Sequence, residues 1–398
     1  PYEMLRSRVG SEMCIRDSPE TGLIGTRILD VGNPWLDAGI VPYSTLNYND
    51  DKKYWEKWFP GDFVVESFPG QFRNWFYSLL ALSTVMEDKA PFKTLLGHAL
   101  VKDETGRDMH KSWGNAIWFD DAAEEIGVDV MRWMYANQNI ENNLLFGYGP
   151  ANEVRRKLLT LWNVYSFFAT YAAVDKFSPL EVNIKDSHLT LLDQWILAKS
   201  NLLVKEAVNA FDSYRVDKFI QKFERFLDDL SNWYIRRNRR RFWKSENDTD
   251  KEAAYHTLYH VLLNSVKIIA PILPFMSEKI YQNLVCNIDK NLPESVHLCE
   301  YPVIDDQKID QKMIDQVDAI RKMVELGRSA RNKAELKIRQ PLQELCFHLS
   351  DNSIKKFVIE NQNIILEELN VKNIKYVDST DKLIGYIIKP NLPFIGQD

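Results

Sequence analysis

The run Gly106-Arg107-Asp108-Met109-His110-Lys111-Ser112-Trp113-Gly114-Asn115 concentrates the residue types that bind a polyphosphate. Arg107 and Lys111 carry fixed positive charge, and His110 gains it on protonation. Gly106 and Gly114 permit backbone geometry that other residues resist, and Ser112 and Asn115 are good N-cap residues. Cations and backbone N–H groups converging at a helix start suit a phosphate anion. A charged surface turn is the plainer reading of the same ten residues.

Two further sets of residues have chemical potential. Phe63 to Phe76 reads as a strand leaving into a helix, and carboxyl ends of strands are where open α/β sheets bind ligands. There Glu66 and Gln71 suit an ammonium or a ribose hydroxyl, and Trp75 suits an apolar pocket wall; a helix entry with a packed Trp is the alternative. Trp35, in Pro34-Trp35-Leu36-Asp37-Ala38-Gly39, is either a second pocket wall or a packed loop residue. The densest positive charge lies in Leu230 to Lys244. Arg237 and Arg241 continue the helical stripe of Leu230 and Tyr234, while Arg236, Arg240 and Lys244 form a neighbouring row at i, i+4 and i+8. Cations beside Trp233 and Tyr234 can grip a phosphate backbone and stack on bases, or can form a solvated face paired with Asp228, Asp229 and nearby acids. Gly327 to Leu342, with Arg328 and Arg331, is a second basic stretch that ends at Pro341.

The elements that must position these groups follow from periodicity. Asp62 to Val65 and Phe92 to Val101 are strand candidates, and Asp30 to Gly39 reads as loop and turn. Trp75 to Met86 and Asp121 to Gln138 read as helices. Strand, helix, strand and phosphate loop suggest part of a doubly wound α/β domain. After Pro150 long amphipathic helices follow: Asn152 to Ala172, Leu189 to Ala210, Val216 to Trp243, Lys251 to Ile269 and Ile309 to Ala334. These make a helical bundle. Leu345 to Leu349, Asn373 to Val377 and Leu383 to Ile388 are strands of a small C-terminal α/β module.

Composition removes other classes. The net charge of −6 excludes a wholly basic nucleic-acid binder but leaves room for a local patch. No apolar run approaches the roughly 20 residues of a membrane span. Cys14, Cys286, Cys299 and Cys346 form no C-x-x-C pair, which argues against a structural zinc site or a disulfide framework and fits a reducing compartment, the cytoplasm. With seven His and no ligand spacing there is no protein-bound metal to assign. Residues 1–18 lack a signal-peptide h-region and read as translated sequencing-adapter sequence, outside the fold. The chain starts without Met and reads as a fragment.

The motifs, in this order, resemble those of isoleucyl-tRNA synthetases, members of the class I aminoacyl-tRNA synthetases. The opening run resembles the Lys-Met-Ser-Lys-Ser motif: Met109, Lys111 and Ser112 match, while Asp108 and His110 replace the first Lys and first Ser. Glu66 to Trp75 resembles the adenylate-holding segment, with Gly70 where the family has Asp. Trp35 to Gly39 is similar to the family's Trp-Phe-Asp-Ser-Gly stretch. Trp233 to Trp243 and Arg328 to Pro341 resemble its Arg-rich helix and the end of its anticodon-binding bundle. The resemblance implies that Lys111 stabilises the leaving pyrophosphate, with Arg107, Met109, His110 and Ser112 also on ATP. Trp35, Glu66, Gln71 and Trp75 would hold isoleucine and its adenylate. Trp233, Arg236, Arg237, Arg240, Arg241, Lys244, Arg328 and Arg331 would face tRNA(Ile) or pack domains together.

ATP with Mg2+ is the implied cofactor, and tRNA(Ile), ATP and L-isoleucine are the implied partners of a monomer. The implied layout is a multidomain α/β plus α chain. It comprises an adapter-like segment at 1–18, the second half of a Rossmann-like catalytic domain at 19–150 and a helical connector at 151–186. An anticodon-binding bundle at 187–341 and a small α/β module at 342–398 complete it. The family's His-Ile-Gly-His motif and editing domain are absent, so this fragment alone is expected to be inactive. A valyl or leucyl ligase, or a non-catalytic tRNA-binding paralogue, is the alternative.

Overall fold

A computed structural model describes residues 33–180, 184–185, 188–244, 246 and 248–377, together with a short antiparallel pairing of Arg16–Asp17 with Ile24–Gly25. The adapter-like reading of 1–18, apart from Arg16–Asp17, and the strand expected at Leu383 to Ile388 lie outside the described residues. The chain divides into two compact units, residues 1–154 and 155–398.

The first unit starts with a correction. Pro34–Gly39, expected as loop, is a short helix (α1). Asn33 caps it by accepting the Trp35 N–H, and Pro34 sits at the first turn, where its missing N–H is harmless. Helix α2 (Lys52–Trp58) buries Trp55, whose ring stacks on Phe59 at 4.4 Å between centroids. Strand β1 (Gly61–Ser67) is followed by helix α3 (Trp75–Glu87) and strand β2 (Phe92–His98), which pairs parallel with β1. Gly39 of α1 lies so close to α3 that a Cβ there would stand 2.8 Å from Leu82 and Ser78 side-chain atoms.

Strand β3 (Val101–Asp103) pairs parallel with β4 (Leu144–Phe146). Between them the single helix expected over 121–138 is two, α4 (Phe119–Glu125) and α5 (Val128–Asn137). Gly127 separates them at φ +93°, a left-handed geometry that only glycine adopts easily. Trp133 and Ile126 fill the core beside the break.

The second unit is helical. Helix α6 (Tyr148–Val174) leads towards a bundle made by α7 (Leu191–Asp212), α8 (Val216–Asp228), α9 (Arg236–Trp243), α10 (Thr249–Ile269), α11 (Pro274–Tyr281) and α12 (Gln311–Lys333). A π-helical segment, Asp229–Ile235, joins α8 to α9. Trp195, Phe219, Phe223, Tyr234 and Leu258 form the interior. The wide π turn moves the deepest positions of α9 to Asn238 and Phe242, so Arg237 and Arg241 sit at the rim. The chain ends in a parallel pair, β5 (Leu342–Phe347) with β6 (Val371–Tyr376), linked by α13 (Asn352–Glu360) and α14 (Gln362–Leu369).

Candidate active-site loop and arginine-rich helix

The parallel register of β1 and β2 sets Glu66 beside Gly97 and Ser67 beside His98, at the carboxyl ends of both strands. Glu66 Oε1 accepts the Ser67 N–H at 2.8 Å. Gln71 Oε1 accepts the Trp75 N–H at 3.1 Å and so holds the first turn of α3. Trp75 in turn donates its indole N–H to Ala38 O at 3.1 Å, which ties α3 to α1. Trp35, on α1, keeps 36% of its surface exposed. The two tryptophans therefore stand on neighbouring helices. At Gly70 the nearest neighbour of an added Cβ would be Ser67 Oγ at 3.8 Å, so the backbone there accepts a side chain.

The phosphate-loop candidate is clamped by two residues outside its cationic set. Asp103, at the end of β3, is 7% exposed. Its Oδ1 accepts the Thr105 hydroxyl at 2.7 Å and the Thr105 and Arg107 N–H groups at 3.0 and 2.9 Å. Its Oδ2 accepts Asn115 Nδ2 at 2.8 Å. These donors, the Thr105 and Asn115 side chains first, hold the Asp103 carboxyl well below the usual carboxylate range. Asn115 also donates to Asp108 O at 2.8 Å and accepts the His110 N–H at 3.0 Å, which pins both ends of the loop. Asn115 and Ser112 are thus not helix caps: Lys111–Trp113 is a single 3-10 turn closed by Gly114 at φ +69°, and α4 starts only after Trp118. Sequence reading missed Asp103, although an Asp two residues before Thr105-Gly106 is a recognisable side-chain-to-backbone turn.

The cationic groups differ in their freedom. Arg107 stays mostly exposed but leans on Asp103 at 3.4 Å and donates to Thr105 Oγ1 at 3.1 Å. Asp108, at the position of the missing cation, pairs with Lys102 of β3, so its charge is neutralised locally. The pairing lowers its pKa. His110 meets the Trp113 ring edge-on at 4.3 Å, and Met109 is half-buried. Lys111 and Ser112 are exposed, and Lys111 Nζ rests 4.4 Å from the Trp118 ring centroid. Among the described residues no carboxylate lies within ion-pair range of Lys111. It is the loop's available cation.

The Arg-rich helix engages the protein itself, through nearby Asp248 and Asp250 and through distant acids, and not through Asp228 or Asp229. Arg241 pairs with fully buried Asp193 at 2.8 Å and with Asp250 at 2.8 Å. Arg236 and Arg237 each meet Glu368 of α14 at 2.6 Å, Arg328 of α12 joins them there, and Arg237 also meets Glu367 at 2.9 Å. Lys244 pairs with Asp248 and Asp250 at 2.6 and 2.9 Å. Arg331, 5% exposed, donates to the carbonyls of Lys337, Gln340, Leu369 and Asn370 at 2.7–3.1 Å. Trp233 is buried with the guanidiniums of Arg236, Arg237 and Arg321 at 5.9, 5.6 and 5.7 Å from its ring centroid. Asp229 pairs with Lys199 and Arg321 instead. Arg239 and Arg240 are exposed.

Glu368 is 8% exposed, and its burial alone would raise its pKa. Arg236 and Arg237 outweigh that and lower it, so the carboxylate stays ionised. Replacing Glu368 by Gln is expected to cost about 2 kcal/mol, since three cations lose their shared anion while two of them stay partly hydrated. Because the folded pKa is depressed, this contribution is complete above the ordinary Glu pKa and disappears as pH falls through the folded value. Urea unfolding of both proteins at neutral and acid pH measures it; an equal difference at both pH values would remove Glu368 as the anchor.

Comparison with known proteins places this geometry. Residues 20–146 match the family of class I tRNA synthetases for I, L, M and V, and residues 193–346 match the anticodon-binding domain of tRNA ligases. The isoleucine--tRNA ligase of Clostridium novyi is 42% identical over 384 residues, which cover 95% of this chain and 36% of that protein. That of Pyrococcus abyssi is 36% identical over 94% of the chain and 34% of its own length. The chain thus spans about a third of the length of these curated relatives. Its fold is similar to an Agrobacterium radiobacter LeuRS in a ternary complex with tRNA and LeuAMS (TM-score 0.56, 16% identity, 76% of this chain and 36% of that one). It is also similar to Mycobacterium tuberculosis methionyl-tRNA synthetase with methionyl-adenylate (TM-score 0.53, 18% identity, 76% and 62%). The chain therefore belongs to the class I tRNA synthetases, among isoleucine--tRNA ligase relatives.

Proposed function

We propose that this chain is the part of an isoleucine--tRNA ligase that carries the pyrophosphate loop, a wall of the amino-acid pocket and the anticodon-binding bundle. In the full-length protein the isoleucine carboxylate attacks the α-phosphate of ATP, pyrophosphate leaves, and the acyl group then moves to the terminal ribose of tRNA(Ile). Mg2+ arrives as part of the ATP substrate, bound by its phosphates. The observation that carries the reading is the exposed Lys111 on a loop whose backbone is fixed by Asp103 and Asn115. A fixed loop presenting one unpaired cation stabilises charge as it develops on the leaving pyrophosphate, without reorganising. Arg107, Met109, His110 and Ser112 shape the same loop.

Glu66 and Gln71 hold the adenylate, and Trp35 and Trp75 enclose the isoleucine side chain. Direct tRNA contact falls to exposed Arg240, helped by Arg236, Arg328 and Lys244 from their partly exposed pairs. Trp233, Arg237, Arg241 and Arg331 act at one remove, by holding the helix that presents them. The enzyme works as a cytoplasmic monomer in this proposal. Pyrophosphate exchange by the full-length protein with isoleucine, valine and leucine tests it. Isoleucine is expected to exceed valine by about 10–200-fold in kcat/KM, the limit that one methylene allows an apolar pocket. Preference for valine or leucine would move the chain to those ligases, and no exchange with any of them would leave a tRNA-binding protein without chemistry.

A further inference from the structure

Helix α10 carries two histidines one turn apart, His256 and His260, at a cavity of about 780 Å3 in the second unit. The pyrophosphate loop, the pocket walls and the arginine pairs use neither of them. Their Nε2 atoms share a hydrogen bond at 3.0 Å, one ring donating to the other, with the rings inclined at 61°; a metal ion would take the place of the shared proton. We propose that His256 and His260 form a two-imidazole chelate for a divalent transition-metal ion, of the Ni2+ or Cu2+ type.

The separation suits an ion of this type. An ion about 2.0–2.1 Å from each nitrogen would see the pair at roughly 94°. That is the angle between neighbouring ligands in the square-planar or tetragonal sites of Cu2+ and Ni2+. A tetrahedral ion such as Zn2+ needs nitrogens about 3.3 Å apart for the same bond length. Imidazole also matches these ions in softness, and the affinity order favours Cu2+ and Ni2+ over the lighter divalent metals.

Two features of the site set its strength. Lys267 and Lys308 line the cavity and repel a cation, whereas Asp310 attracts one. His256 Nδ1 is buried with no hydrogen-bond partner, so the acceptor that usually braces a ligating histidine is missing. Among the described residues no group of three or more His, Cys, Asp or Glu side chains could hold a metal. The ion therefore completes its shell with water beside exposed His260, and the site is an exchangeable one and not a structural one.

Calorimetric titration of the whole 398-residue chain, prepared without a polyhistidine tag, with NiCl2 at neutral pH tests the assignment. One saturable site is expected, weakened at least tenfold in His256→Gln and in His260→Gln and lost in the double variant. No binding up to millimolar Ni2+, or unchanged affinity in the double variant, overturns it. The spin-resonance spectrum of Cu2+ on the unmutated chain needs no variant to fold. Coupling to two imidazole nitrogens is expected, and coupling to one or none overturns the proposal.

Discussion

Replacing Asp193 by Ala is expected to destabilise the helical unit by about 3–5 kcal/mol. Asp193 is 0% exposed and joins three elements. Its Oδ2 accepts the Thr190 N–H at 2.9 Å and hydroxyl at 2.7 Å, which completes a capping box at the start of α7. Its Oδ1 accepts the Tyr234 hydroxyl at 2.6 Å from the π segment and Arg241 Nη1 at 2.8 Å from α9. Removing the carboxylate leaves a buried guanidinium and a buried phenol without their shared partner. Tyr234 has no route to ionise in compensation, since burial holds its pKa well above the ordinary value. Asp250 still reaches Arg241, which keeps the loss within the usual range for a broken buried pair.

Urea unfolding followed by tryptophan fluorescence measures this loss, because Trp195 and Trp233 lie in the same bundle. A loss below about 1 kcal/mol would mean that the pair contributes no more than a surface ion pair. Adding Arg241→Met to Asp193→Leu is expected to recover much of the loss, since an apolar pair of similar volume leaves no charge stranded. If the double variant is as unstable as Asp193→Ala, hydrogen bonds to Thr190 and Tyr234, and not the charge pair, hold the site.

Lys111→Ala, made in the full-length protein, is expected to lower kcat for isoleucine-dependent pyrophosphate exchange by about 10²–10³-fold, the usual loss for one preorganised stabilising group. The KM for isoleucine should hardly change, because that substrate is held by other elements. Lys102 and Arg107 offer little compensation. Lys102 is paired with Asp108, and Arg107 leans on Asp103. Asn115→Ala should give a smaller fall in the same parameter, since the cation survives but the two ends of its loop are no longer joined.

Much of this was legible from residue order. The stripe of Phe219, Phe223, Phe226, Leu227 and Leu230 marks α8 and runs on into the π-helical segment, and all five are buried. The strands on either side of α3 and the long helices after Pro150 follow from the same periodicity. Two features were hidden because they depend on distant partners. The arginines of α9 look like a phosphate-binding row, but Glu367 and Glu368 arrive about 130 residues later in the chain. The stripe that Arg237 and Arg241 continue with Leu230 and Tyr234 does set them at the edge of the core, but local sequence does not reveal the π turn before them. The loop shows a third kind of miss. Asn115 is a good cap by type, yet Asp103 recruits its side chain to close the loop before α4 begins. Gly127 was legible as a glycine, but its effect in splitting one periodic run into α4 and α5 becomes visible only through its positive φ.

The central claim is that Lys111 on the clamped loop stabilises the pyrophosphate leaving ATP during isoleucine activation. Single-turnover formation of isoleucyl-adenylate by full-length wild-type and Lys111→Ala proteins, at saturating isoleucine and ATP, tests it most directly. The account predicts a rate constant about 10²–10³-fold lower in the variant, with both proteins folded alike. Equal rate constants would contradict it.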